Sequence, residues 1–302
     1  MTTARVETRG SQQAQRGPAW LGETLGYLRR NPSMIVGGLL LLALVLFTGL
    51  GRLIVDTNAA NPLSAPPAQP PGPGVPLGSD PQGRDILSVM ILGTWLTVRT
   101  GLVAGALGVA IGSAIGLYAG YVGGRWDKAI TWIVDVLLTV PAILLLVMIA
   151  AVVQTELTSL GMALIIAALA WRRPARQVRS QMLVIRNAGY IEMARLSGLG
   201  PLRIIFGEIV PNLLPFLISS FVTAVSAAIL AGVGLEAMGL GPQNEPTLGM
   251  TIFWIMELSA FLRGMWWWIV PPLAILVVLF VGLYLVNAGL DELANPRLRR
   301  RA

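Results

Sequence analysis

The stretch Trp171–Asn212 reads WRRPARQVRSQMLVIRNAGYIEMARLSGLGPLRIIFGEIVPN, with seven arginines between Arg172 and Arg203. It separates two long apolar runs and is too long for a tight turn between them. Tyr190–Leu196 is a short helix-forming segment, Gly198 and Gly200 break it, and Leu202–Ile209 is a second amphipathic segment ending at Pro211. Helix, glycine turn, helix on the basic side of a membrane has the shape of a plug that docks into another protein. A helix lying on anionic lipid accounts for the same arginines, and the residues alone leave both readings open.

Outward from this stretch the composition is that of a membrane protein. Of 302 residues, 55% are hydrophobic and 12% charged, and the mean hydropathy is +0.70. A soluble domain carries roughly 25% charged residues. Cysteine and histidine are absent, which excludes disulfides, thiol nucleophiles, Cys/His metal sites and imidazole acid–base chemistry. The net charge of +7 is assigned to cytoplasmic loops that set orientation. No nucleic-acid partner is expected, because no basic cluster outside the spans is interleaved with aromatics. The first long apolar run begins at Met34, too far in and too long for a signal peptide, so the gene product is expected to be the mature chain.

Met34–Gly51 is uncharged over 18 residues, enough to cross about 30 Å of hydrocarbon. Further apolar runs follow at Thr100–Gly124, Ala129–Val153, Leu157–Trp171, Ile209–Leu235 and Met265–Leu290. The expectation is an all-α integral membrane protein with six transmembrane helices. It divides into a cytoplasmic segment (1–33), in which Trp20–Leu28 suits the interface, a first span (34–54), an external connector (55–96) and a core (97–290). The core spans fall near 97–123, 129–153, 157–178, 209–235 and 265–290. A cytoplasmic loop (179–208), an external loop (236–264) and a cytoplasmic tail (291–302) complete it. The connector, rich in Pro, Ala and Gly between Asp56 and Pro81, reads as extended and coreless. With both termini inside, 18 of the 22 Lys and Arg residues are cytoplasmic, leaving Arg52, Arg84, Arg99 and Arg263 outside. That asymmetry predicts N-in/C-in.

Gly101, Gly105, Gly108, Gly112, Gly116 and Gly120 share one face of the second span. A stripe without Cβ atoms lets another helix approach closely, which is a packing role. Asp135 lies about two turns inside the third span, ahead of Pro141. A carboxylate at that depth needs a partner or water. It serves a proton relay or a structural ion pair with an arginine of the cytoplasmic segment, and the ion pair is preferred because the other spans hold no second such residue. No G-x4-G-K-[ST] pattern is present, and Lys128 is the one lysine, so the chain is expected not to hydrolyse ATP itself.

The spacing Glu192-x-Ala194-x3-Gly198, with Pro211 thirteen residues on, resembles the "EAA…G…P" loop of bacterial ABC importer permeases. PLGSDPQGRDILS at Pro76–Ser88 resembles the external signature of the dipeptide/oligopeptide/nickel permease family, C-type subunit. RNP at Arg30–Pro32, Asp135 with Pro141, PNLLP at Pro211–Pro215 and NPRLR at Asn295–Arg299 follow the same family pattern in order. The resemblance covers essentially the whole chain. It departs at Met193, where alanine is usual, at Glu208, where histidine is usual, and at Leu248, where tryptophan is common.

This resemblance implies the type I ABC importer permease fold in a bacterial inner membrane. It implies ATPase coupling through Gly189, Tyr190, Glu192, Ala194, Arg195, Gly198 and Gly200, with Glu192 at the N-terminal end of the coupling helix and Gly198 at its turn. Gly105, Gly108, Gly112, Gly116, Asp135, Pro141 and Pro211 are expected to be structural. The chain would carry no cofactor, with ATP and Mg bound by one or two partner ATPase subunits. A second homologous permease, an extracytoplasmic solute-binding protein and the lipid bilayer complete the partners. Glu236–Gly264, with Glu245 and Glu257, would contribute to an external docking or gating surface. The implied solute is a dipeptide or oligopeptide, with oligosaccharide or nickel as alternatives. A secondary transporter would show inverted repeats with coupling-ion ligands, and a membrane enzyme would show converging polar residues at depth; neither pattern is clear in the chain.

Overall fold

A computed structural model describes residues 31–153 and 157–294, with side chains as far as Asp291. The N-terminal segment up to Arg30 with its Trp20–Leu28 stretch, and the tail from Asn295 with NPRLR, lie outside the described residues. Within them the chain is built of helices α1 (Pro32–Ile54), α2 (Ile86–Val122), α3 (Gly124–Thr139), α4 (Ala142–Val152), α5 (Ser159–Ala170) and α6 (Arg172–Ile185). There follow α7 (Gly189–Leu196), α8 (Pro201–Ile204), a π turn (Ile205–Ile209), α9 (Val210–Ala237), α10 (Leu248–Glu257) and α11 (Trp266–Ala294). Four stretches are long and apolar enough to cross a membrane, namely α1, α2, the continuous run Pro201–Ala237, and α11. The pair α3–α4, bent by 85° at its break, makes a fifth.

α1 begins where Asn31 accepts the Met34 amide at 3.3 Å and Pro32 occupies the first turn, a stop–start signal legible in RNP. Its leucines and valines are largely exposed. It is held to α11 by close backbone approach, since a Cβ on Gly37 would lie 2.8 Å from the Gly282 carbonyl and the Val286 amide.

α2 is the central post. At 37 residues it is about 55 Å long, well beyond the hydrocarbon thickness, so part of it projects past the bilayer. Its glycine stripe meets two different neighbours. A Cβ on Gly105 would fall 2.7 Å from Val225 of α9. Cβ atoms on Gly112, Gly116 and Gly120 would strike Pro174, Val178 and Met182 at 2.8, 3.0 and 2.7 Å. Glycines four apart therefore receive α6 side chains four apart, with the two helices running parallel.

Two expectations are corrected. The external connector is not coreless. Asp80 is buried, accepts the amides of Gln82 and Arg84 at 2.9 Å each, and pairs with Arg84 Nε at 2.6 Å. Asp85 caps α2 by accepting from Ser88 N at 2.9 Å and Ser88 Oγ at 2.6 Å. The Trp267 indole donates to the Ser79 carbonyl at 3.3 Å, and Ala60, Ile86 and Trp268 share one apolar cluster beneath. Pro and Gly here shape turns over a core rather than a linker. Second, Leu202–Ile209 is not a separate segment after a turn: it leads through the π turn into α9 as one continuous helical run.

Candidate functional site

The segment whose sequence suggests a plug folds as the helix α7 with the turn that follows. Ile191 and Ala194 are buried in a cluster with Leu117 of α2, Val178 and Met182 of α6, and Ile204, Ile209 and Leu213. Burial of one isoleucine is worth about 1.5–3 kcal/mol, so this contact seats a helix of eight residues that would not persist alone. α7 ends in a paired cap. The Leu199 amide donates to the Ala194 carbonyl at 3.2 Å and the Gly198 amide to the Arg195 carbonyl at 3.0 Å. This is a Schellman turn, and it places Gly198 at φ +76°, the left-handed region where glycine carries no penalty. Gly200, at φ −68°, caps α8 in extended backbone, and a Cβ there or at Gly189 would meet nothing within 4 Å. Of these three glycines, only Gly198 is demanded by conformation.

The outward face of α7 is different in kind. Tyr190, Met193, Leu196, Leu202 and Phe206 are all exposed, Leu196 at 78%. Glu192 stands exposed in the first turn and makes no capping bond, so its charge acts there only through the helix dipole. Arg195 lies over the Tyr121 ring at 5.5 Å from its centroid. Pro211 follows directly on the π turn, where Val210 donates to Ile205 and the ladder is already interrupted.

Sequence reasoning expected an arginine beside Asp135, which Arg176 supplies, but missed what the other α6 arginines do. Arg172, Arg176, Arg179 and Arg186 fall on one helix face, and each finds a partner inside the chain. Arg179 Nε and Nη2 grip both oxygens of Asp127 at 2.5 and 2.7 Å, the bidentate geometry that makes such pairs strong. Arg176 Nη1 stands 3.2 Å from Asp135 Oδ1, within ion-pair distance but out of hydrogen-bonding alignment, since that oxygen is buried without a donor. Arg186 donates to the Gly120 carbonyl at 2.9 Å. Arg172 donates to the Leu137 carbonyl. That acceptor is free because α3 ends at Thr139, with Val140 held in extended backbone ahead of Pro141, which leaves the Leu137 carbonyl among the unpaired ones of the last turn; Arg172 supplies its donor. Behind the break a cavity of about 340 Å³ opens between α4, α5, α6 and α9, lined among others by Ala142, Arg173, Ser220 and Thr223.

At the opposite end of the bundle, the 236–264 segment is tied inward. Glu236, 1% exposed, accepts from Thr247 Oγ1 at 2.8 Å and from the Gly249 backbone. Glu245 accepts the Ser159 amide at 3.0 Å, at the start of α5. The Leu248 amide donates to Thr97 of α2 at 3.1 Å. These carboxylates brace the loop from within.

Comparison with known proteins places the chain in a family. Residues 112–300 match the family described as binding-protein-dependent transport system inner membrane component. Over 281 residues the chain is 30% identical to the dipeptide transport system permease protein DppC of Haemophilus influenzae, covering 91% of this chain and 94% of that one. It is 31% identical over 232 residues to the oligopeptide transport system permease protein OppC of Mycobacterium bovis, covering 76% and 79%. A putative peptide transport system permease of Brucella abortus is 31% identical over 273 residues, 90% of each chain. An inward-facing crystal form of the MetNI methionine ABC transporter shares the fold, with a TM-score of 0.55 at 20% identity over 68% of this chain and 94% of that chain. On the family match and on relatives that align with most of its length, this chain belongs to the binding-protein-dependent transport inner-membrane components and is a membrane permease subunit of an ABC importer.

Proposed function

We propose that this permease is one half of the translocation pathway of a peptide importer and that α7 with its Gly198 turn seats in a groove of a cytoplasmic ATPase. The single observation that carries the reading is the two-faced α7. Ile191 and Ala194 fix one face to the permease, while Met193 and Leu196, with Leu202 and Phe206 beyond the turn, expose an apolar face at the arginine-rich side of the chain. Isolated apolar side chains on a surface are ordinary, but a contiguous patch beside a rigid turn suits a protein partner. ATP and Mg are bound by that partner, and the chain itself supplies no cofactor ligands. A second homologous permease completes the pathway, and an extracytoplasmic binding protein delivers the solute. The relatives' names favour a dipeptide or oligopeptide over oligosaccharide or nickel.

Six crossings with N-in/C-in orientation fit the packing. Ser159, at the start of α5, accepts from Thr100 of α2 at 3.2 Å and lies with Glu245 of the external loop. Met182, near the end of α6, faces Gly120 at the other end of α2. α5 and α6 together therefore follow α2 from Thr100 to Gly120 as a crossing broken near Trp171. Closure of the ATPases on nucleotide would move the paired permeases from inward-open to outward-open, and hydrolysis would return them. The test is co-expression with the ATPase and sister permease encoded alongside, followed by purification on a tag carried by this chain. Leu196→Asp should release the ATPase while the sister permease stays bound. Full retention of the ATPase by Leu196→Asp, Met193→Asp and Phe206→Asp alike would defeat the docking assignment.

A further inference from the structure

We propose that the arginine face of α6 is a transmission rod that carries movement of α7 to the break in the third span. The inference rests on the ATPase-docking reading of α7. α6 and α3 run antiparallel, and the rungs between them follow in opposite order along the two helices. Arg179 holds Asp127 near the start of α3. Arg176 faces Asp135 two turns further along α3. Arg172 holds the Leu137 carbonyl one turn before Pro141. The same α6 is fixed to α7 through the cluster of Val178, Met182, Ile191 and Ala194. One rigid helix thus touches the docking element at one end and the broken point of a span at the other.

The rungs are unequal in a way that suits transmission. The Asp127 rung is bidentate and mostly buried, with side-chain exposures of 26% for Arg179 and 12% for Asp127. The Asp135 rung is long, misaligned and half exposed. The Arg172 rung sits on a carbonyl left unpaired in the last turn of α3, ahead of Pro141. A firm grip near the start of α3 and another at its free carbonyl force α3 to follow α6, while the loose middle rung tolerates adjustment. α4, past the 85° bend, can then swing relative to α9 and change the cavity between them. Asp127 and Arg179 are on this view positioning residues; Arg172, which also lines the cavity behind the break, acts on α3 through the Leu137 carbonyl.

The absence of cysteine allows a direct test in the assembled complex, with partner subunits stripped of accessible cysteine. Spin labels at Val184→Cys on α6 and Val277→Cys on α11 report movement of the rod, and Met148→Cys with Val277→Cys reports movement of α4. All three sites are exposed. Distances are compared between the nucleotide-free and the vanadate-trapped states. In the parent protein both pairs should shift. In Asp127→Asn and in Arg172→Met the α6 shift should persist while the α4 shift falls below half. The exchanged pair Asp127→Arg with Arg179→Asp should restore the α4 shift, which a merely stabilising contact would not predict. An undiminished α4 shift in both single variants overturns the proposal, as does a parent α4 that stays still while α6 moves. If neither pair shifts in the parent, the docking reading itself fails and the rod has nothing to carry. Should Asp127→Asn not assemble, the exchanged pair decides: assembly restored without the α4 shift also overturns it.

Discussion

Substitution at Gly198 separates conformation from size. The residue sits at φ +76°, and a Cβ added there meets nothing within 4 Å, so a side chain is opposed by backbone strain and not by collision. For an ordinary L-residue the left-handed region costs roughly 1–2 kcal/mol, with asparagine an exception because its side chain bonds locally. The Schellman turn is lost if the chain escapes to negative φ, and with it two hydrogen bonds worth about 0.5–1.5 kcal/mol each. A shift of 1–2 kcal/mol changes a two-state population by about 5–30-fold, and apparent affinity falls by the fraction no longer in the docking conformation. The expected order of damage is therefore Gly198→Asn least, Gly198→Ala intermediate, and Gly198→Val greatest, since a β-branched residue is worst at positive φ. The assay is ATPase retention on the purified permease, with ATP turnover in reconstituted vesicles, and membrane insertion should be equal in all three. If Gly198→Ala is milder than Gly198→Asn, bulk against the partner governs the site and the conformational argument is wrong.

Further expectations concern the rest of the molecule. Ser64→Cys and Gln243→Cys should label with an impermeant reagent from outside and Ser180→Cys only after permeabilisation; external labelling at Ser180 would break the six-crossing topology. Gly112→Leu should lower the thermal stability of the purified subunit by about 1–3 kcal/mol, because a Cβ there lies 2.5 Å from the Trp171 carbonyl and 2.8 Å from Pro174; an unchanged melting curve would mean the helices part freely. Glu236→Ala should loosen the external loop by about 1–3 kcal/mol, the penalty for buried donors left unpaired, seen as faster proteolysis between Gly241 and Thr251. Glu236→Gln keeps an acceptor and should be milder, and equal proteolysis of Ala, Gln and parent forms would show that the loop is held by other contacts.

Some of this architecture was legible because a single residue type has a single physical use. Asn31–Pro32 starts α1 in the way that a cap followed by proline dictates. Glycines at intervals of four and three lie where Pro174, Val178 and Met182 come close. Other features were not legible because one pattern serves two structures. A run of Pro, Gly and Ala spells a linker unless buried groups such as Asp80 and Asp85 gather its amides, and that gathering is tertiary. Pro211 marks the start of a helix, yet a π turn lets the preceding segment run straight into it. Glu236–Gly264 reads as an external docking or gating segment through Glu245 and Glu257, whereas Glu245 accepts the Ser159 amide and Glu236 accepts from Thr247.

The arginines show most clearly why spacing alone under-determines a membrane helix. Charges at Arg172, Arg176, Arg179 and Arg186 fall on one face at helical intervals, and that periodicity is the same for a helix lying on anionic headgroups and for one gripping a neighbour. What decides is the supply of acceptors on the neighbour, and two of these are invisible as residue types: the carbonyls of Gly120 and Leu137. The Leu137 carbonyl could have been anticipated, because a proline at position 141 inside an apolar run frees it, and a free carbonyl near the end of a span must find a donor or water. The signal was therefore the proline, read not as a kink but as an unpaired acceptor four residues upstream. Asp127 carried a parallel signal, an acid in the first turn of a span on the side where the arginines gather. A search of membrane sequences for proline, the carbonyl four residues before it, and an arginine near the inner end of the next crossing would recover this contact without any coordinates.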